Sequence, residues 1–150
     1  MKKELQQYLR DIGVTMALDS RIEEILGLYA KQLGGEPEDI LVSEYVTSDG
    51  TREYESLWFF SKKYVGEAKE FIKDYNVDIT PIESRIRHLR FTKLAYDFQE
   101  ATSSSRLSVQ FSIDSGISGQ LKASGKNCDY LRDILAKYLR PNMKQMAQAV

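Results

Sequence analysis

The densest chemistry in this sequence lies between positions 85 and 93, where Arg85, Arg87, His88, Arg90 and Lys93 occur with no acid among them. Such a run can hold an anion, RNA or an acidic partner, with Lys62 and Lys63 as added cations and Phe91 as a stacking surface. Arg85, Arg87, Arg90, Lys93, Lys62 and Lys63 are therefore the candidate ligand-binding residues. On a strand, 85 and 87 point to one face and 88 and 90 to the other, so the charges do not form a single row. The plainer reading is a strand whose long basic stems cover apolar rims while their heads stay in water.

The other reactive side chains offer less. His88 is the only histidine, and no motif such as G-x-S-x-G supplies the nucleophile it would need as a catalytic base. The segment GQLKASGKN from Gly119 to Asn127 stands between a strand and a helix, as a phosphate loop does. It has five residues between its glycines instead of four, and Asn127 where Ser or Thr would hold a metal. Cys128 falls at a helix start, where the dipole favours a thiolate, but its spacing to Leu131 and Leu135 turns it inward as a small apolar group. Asp74, Asp78 and Glu83 lack the spacing of a calcium loop. No catalytic residue, metal ligand or cofactor is assigned.

The composition narrows the class. At 150 residues and 42% hydrophobic, the chain can bury a core as one compact domain. Twenty-one bases against 22 acids argue against a general DNA or polyanion binder, whose affinity comes from clustered positive charge. One cysteine permits no internal disulfide, and with one histidine it cannot form a Cys/His zinc cage. There is no signal-like leader and no apolar run near the ~20 residues of a membrane span, so a reduced, cytoplasmic protein is expected.

Periodicity supplies the elements. Leu5, Tyr8, Leu9 and Ile12 make one helical face that ends at Gly13. A second helix is expected from a capping box of Ser20 and Glu23, with a stripe of Ile22, Ile25, Leu26, Tyr29 and Leu33 stopped by Gly34-Gly35. Residues 38–47 and 52–60 read as a hairpin about Ser48-Asp49-Gly50-Thr51. Lys62-Lys63 turns the chain into a strand from Tyr64 to Ile72, although Val65, Ala68, Phe71, Ile72 and Tyr75 also fit a helical face over 66–75. A loop through Thr80-Pro81 leads to strands at 85–91 and 94–99, with a turn or bulge at Thr92-Lys93 where the apolar parity flips. Leu107, Val109, Phe111 and Ile113 alternate with polar residues, and Ile117 to Ala123 alternates back. Asn127 caps a last helix, striped by Leu131, Ile134, Leu135, Tyr138 and Leu139 and halted by Pro141. Trp58 and Phe60 share a strand face with Tyr54, and Phe59 shares the other with Leu57. One set is expected under the N-terminal helices or at a subunit contact.

LWFFSKKYV, SRLSVQFSI with ISGQLKAS, and NCDYLRDILAKYLRP, set in this order, resemble the pleckstrin-homology-like superfold and its bacterial PH-like members over residues 38–140. The resemblance implies an α+β fold: a strongly bent antiparallel sheet or barrel of about seven strands capped by a C-terminal helix. Ahead of it stand two N-terminal helices. The expected divisions are a helical pair at 1–35, the PH-like domain at 36–141 and a flexible tail at 142–150.

The resemblance implies lipid or peptide binding. Lipid-binding members place basic residues around the first hairpin loop. Here Glu36, Glu38, Asp39, Glu44, Asp49, Glu53 and Glu55 face only Arg52 across that segment, which repels phosphate. The expected function is a non-catalytic protein- or peptide-binding module that captures its partner, another protein or itself as a homo-oligomer, at a sheet edge or beside the terminal helix. The alternative is a small-ligand or anion-binding protein, or an enzyme, using residues 85–93. Titration against phosphoinositide vesicles should show no headgroup preference; a salt-sensitive preference would overturn the argument from the acidic hairpin.

Overall fold

The computed structural model describes residues 2–33, 35–46, 52–72, 76–81, 86–94, 106–113 and 118–141. The fold is α+β. Helices α1 (Lys3–Asp11) and α2 (Met16–Leu33) precede strands β1 (Asp39–Val46), β2 (Arg52–Phe60), β3 (Tyr64–Lys69) and β4 (Asn76–Pro81). Strands β5 (Ile86–Leu94), β6 (Arg106–Ile113) and β7 (Ser118–Ser124) follow, then helix α3 (Asn127–Ile134) and a π-helical turn over Leu135–Leu139. The strands make two antiparallel sheets, β1-β2-β3-β4 and β5-β6-β7, not one continuous bent sheet. No described helix is long and apolar enough to cross a membrane.

Register explains why three adjacent aromatics are all buried. Leu41, Trp58 and Glu67 lie side by side on one face of the first sheet, and Ile40, Phe59 and Gly66 on the other. On the first face, the Trp58 ring meets Phe111 of β6 edge-on at 5.6 Å, and Phe60 stacks on Tyr138 at 5.3 Å. On the second, Ile40, Val42, Leu57, Phe59 and Ala68 are buried in one continuous cluster with Leu5, Leu9, Ile22, Ile25 and Leu26. The apolar stripes of both N-terminal helices are thus buried in the core of their own chain. Each such apolar side chain contributes about 1.5–3 kcal/mol on burial. Gly66 is required where it stands, because a Cβ there would lie 1.7 Å from the Phe59 ring.

Several local expectations change. Helix α2 begins at Met16, and the Leu18 N–H reaches Thr15 Oγ1 at 3.4 Å. Thr15 offers a cap one turn earlier than Ser20, whose hydroxyl instead bonds back to the Met16 carbonyl at 3.1 Å. The third strand stops at Lys69, because Glu70 adopts a left-handed φ of 50° and donates its N–H to the Glu55 carbonyl. Strand therefore prevails over helix at the start of 66–75, while 73–75 lie outside the described residues. Asn76–Pro81, read as loop, is strand β4; it is an edge strand with Pro81 at its end, where a missing N–H costs no ladder bond. The expected break at Thr92-Lys93 does not occur. Strand β5 runs through it, with Thr92 opposite Ser108 and Lys93 opposite Leu107, and the irregularity falls at Arg87. The remainder of the expected 94–99 strand lies outside the described residues, as does the 48–51 turn.

A further irregularity was not anticipated. The β1–β2 register passes from Ser43 opposite Ser56 to Glu44 opposite Tyr54, leaving Glu55 as an extra residue. This bulge flips the parity, so Tyr54 does not share the face of Trp58 and Phe60.

The outer edge of β1 is closed by side chains. The Val42 N–H donates to the Tyr8 hydroxyl at 2.8 Å, and that hydroxyl donates to Asn127 Oδ1 at 2.7 Å. The Asn127 amide returns to the Val42 carbonyl at 2.9 Å and to Glu44 Oε1 at 3.3 Å. Burial pushes the Tyr8 phenol far above its ordinary pKa, so it holds the proton this chain needs. Asn127 therefore makes no side-chain cap; it is buried and serves the strand edge. Along the same seam, the Lys122 N–H donates to Ser43 Oγ at 2.9 Å and the Ser124 N–H to Glu44 Oε1 at 2.9 Å. The edges of β1 and β7 are joined through side chains. Glu44 is 3% exposed and does not belong to the acidic surface counted above.

The terminal stripe is as expected: Leu131, Ile134, Leu135, Tyr138 and Leu139 are all buried. The widened turn adjoins Pro141, which has no N–H to continue an α-helical ladder. Tyr8→Phe keeps the ring but leaves the Val42 N–H and Asn127 Oδ1 without their partner. It should cost about 1–3 kcal/mol in urea unfolding, and a loss under about 0.5 kcal/mol would show the seam to be dispensable.

Candidate functional site

Where the side-chain seam ends, the two sheets part. A cleft of about 480 Å³ opens there, walled by Glu55, Ser56, Glu67 and Lys69 of β2 and β3 on one side. Gln110, Phe111 and Ser112 of β6 and Ser118, Gly119 and Gln120 of β7 form the other. Its size is that of a ligand site, but its lining is mostly polar.

Each wall follows from local rules. Glu55 reaches the cleft because it is the bulge residue, and it approaches Lys122 at 3.9 Å. Glu67 stands directly opposite Trp58 on β2 and Asp78 on β4. It accepts a hydrogen bond from the Ser56 hydroxyl at 2.8 Å. Burial holds the Glu67 carboxyl above the ordinary glutamate value; the Ser56 bond and Lys69 oppose this, while Asp78 and Glu55 add to it. On the other wall, Gly119 lets the sheets approach: a Cβ there would sit 2.5 Å from the Trp58 ring and 2.7 Å from Phe111.

Strand β7 is the outer strand of its sheet. In an antiparallel ladder, alternate residues turn their N–H and C=O away from the partner strand. Lys122 and Ser124 do so, and their N–H groups meet Ser43 and Glu44. Ser118 and Gln120 have the same parity, lie opposite Ser112 and Gln110, and line the cleft. Their backbone groups follow the same edge past the point where side chains seal it. Among the described residues, no strand pairs with this stretch.

The basic residues singled out in the sequence are not brought together here. Arg85 lies outside the described residues. Arg87 is the unpaired position of the β5 irregularity, Arg90 stands opposite Gln110, and Lys93 stands opposite Leu107, of the other parity. Lys62 and Lys63 are exposed at the β2–β3 turn of the other sheet, where Ser61 Oγ accepts the Lys63 and Tyr64 N–H groups. The sequence reading missed Glu67, Lys69, Gln110 and Gln120. The one available signal was a charged residue, Glu67, on the same strand parity as the apolar Val65.

The minor candidates resolve simply. Cys128 is buried, its thiol donates to the Ala123 carbonyl at 3.4 Å, and burial pushes its pKa up, which opposes reactivity. Among the described residues, no group of His, Cys, Asp and Glu is arranged to hold a metal ion. Protein-family models, curated proteins and solved structures were each compared with this chain, and none matches.

Glu67 provides a test of the cleft's electrostatics. A carboxyl with a raised folded pKa keeps its proton longer when folded, so it costs stability as pH rises from about 4.3, the ordinary glutamate value. The stability of Glu67→Gln minus that of the native chain should shift in favour of Gln between pH 4 and pH 8. Parallel pH profiles in urea unfolding would show that Glu67 is not held in a desolvated, acidic setting.

Proposed function

We propose that the protein is a non-catalytic peptide- or protein-binding module of PH-like architecture, with the β7 edge at the cleft as its binding element. The architectural half rests on seven antiparallel strands among the described residues, followed by an amphipathic helix and a π-helical turn whose Tyr138 stacks on Phe60 of β2. The functional half rests on one observation: the backbone of Ser118 and Gln120 faces a polar cleft from an edge that carries no neighbouring strand among the described residues.

An extended segment laid along this edge extends the β5-β6-β7 sheet. Main-chain hydrogen bonds then supply affinity and the cleft walls supply selectivity. A second copy of the chain can offer such a segment as well as an unrelated partner can. The acidic residues of the first hairpin that remain at the surface, Glu38, Glu53 and Glu55, argue against a phosphoinositide headgroup. No step of this reading calls for a cofactor.

Gln120→Pro removes an outward N–H without touching the β6 ladder, and proline is tolerated on that side of an edge strand. Binding of peptides captured by the native protein should fall at least tenfold, with the circular-dichroism melt kept within a few degrees. Undiminished binding by a folded Gln120→Pro chain would place the binding element elsewhere.

A further inference from the structure

Taking the β7 edge as the binding element, we infer that its partner is an extended, polar peptide carrying a lysine or arginine side chain that enters the cleft beside Glu67. The edge sets the extended conformation. Ser118 and Gln120 present their backbone groups two residues apart, the repeat at which a bound strand presents its own. Side chains of one parity on that strand then point toward the opposite wall.

That wall selects charge. Glu67 and Asp78 are cross-strand neighbours on one face, and Glu55 lines the same cleft. Among the described side chains, the bases at hand are Lys69, two residues from Glu67, and Lys122, which approaches Glu55 at 3.9 Å. Three described carboxylates therefore stand against two described ammonium groups. Glu67 is partly withdrawn from water and accepts a hydrogen bond from a neutral hydroxyl, that of Ser56. A guanidinium or ammonium beside it gains a charge-assisted hydrogen bond and relieves the repulsion from Asp78 and Glu55. An acidic side chain in the same place meets like charge.

The rest of the lining restricts the flanking residues. Gln110, Gln120, Ser112 and Ser118 offer hydrogen bonds at the rim, and Phe111 is the one large apolar residue among the described lining. The described lining forms no deep apolar pocket for a bulky anchor, so small polar and β-branched neighbours suit the peptide better than leucine or tryptophan. The methylene stem of a basic side chain can lie over Phe111 while its head reaches Glu67.

The test is selection by the full chain from a random octapeptide array at neutral pH and about 0.1 M salt, the Debye length being about 10 Å there. Lys or Arg should be enriched at one position, with Glu67→Gln reducing that preference about tenfold and Glu67→Lys shifting it toward Asp or Glu. Native-like melts for both variants confine the effect to the cleft. Peptides lost on Gln120→Pro but showing no basic preference, or a hydrophobic one, overturn this inference and leave the edge reading standing. Concentration-dependent dimers in light scattering that Gln120→Pro abolishes, with no peptide selected, make a second copy the occupant and overturn it too. If no peptide or copy is bound, or binding is indifferent to Gln120→Pro, the edge reading itself fails and this inference with it.

Discussion

The fold turns on the hydrogen bond between Tyr8 and Asn127, two residues 119 positions apart. Strand β1 lies at the edge of its sheet, and its Val42 N–H and C=O point away from β2 into a buried region. An unpaired buried peptide group costs on the order of 1–3 kcal/mol. Tyr8 and Asn127 each satisfy one of the two groups and then bond each other, so helix α1, strand β1 and the start of helix α3 are fixed at one point. Tyr130 strengthens the same corner by packing its ring on Tyr8 at 4.5 Å and donating its hydroxyl to Asp11. That bond holds the Asp11 carboxyl below its ordinary pKa and pushes the Tyr130 phenol up to about 12.

Closing an edge with side chains has a consequence that closing it with a strand would not. A backbone ladder repeats at every second residue and would join β1 to β7 along their length. Ser43 and Glu44 meet the Lys122 and Ser124 N–H groups, and beyond this stretch a cleft opens between the described strands of the two sheets. The Glu55 bulge falls at the point of divergence and turns a carboxylate toward the opening. Below the opening, Trp58 fills the space left by Gly119 and packs on Phe111. Among the described residues its buried indole N–H meets no hydrogen-bond acceptor, a cost the ring's packing offsets. The cleft, the bulge and the glycine contact are thus parts of one arrangement.

Elements with a strong internal period were legible in the residues. The stripe on α1, the alternation of Leu107, Val109 and Phe111, and the stripe on α3 each state which side must be buried, and each is buried. Misreadings cluster where local signals compete. Ser20 and Thr15 both suit a helix cap, and the first to occur in the chain takes the role. Asn127 has the residue type of a cap but is used by a strand edge 85 positions away. The parity flip near Thr92 was sound arithmetic about a strand pattern, yet the pairing with β6 runs straight through it. Glu44, counted among surface acids, is drawn inside by N–H donors from β7 and Asn127.

The sequence by itself determined the α+β character, the class of the strongly periodic elements though not of β4, and which apolar faces needed cover, because burial period is a property of neighbours a few residues apart. It also determined that no charge excess suits a polyanion, since that is a sum over the chain. Only the tertiary structure decided that the N-terminal helices pack into the core of their own chain, that the β1 edge closes through Tyr8 and Asn127, and that Glu67 comes to line one cleft with Ser118 and Gln120. Those juxtapositions join residues about 30 to 120 positions apart, and a cross-sheet register leaves no trace in the spacing along either strand.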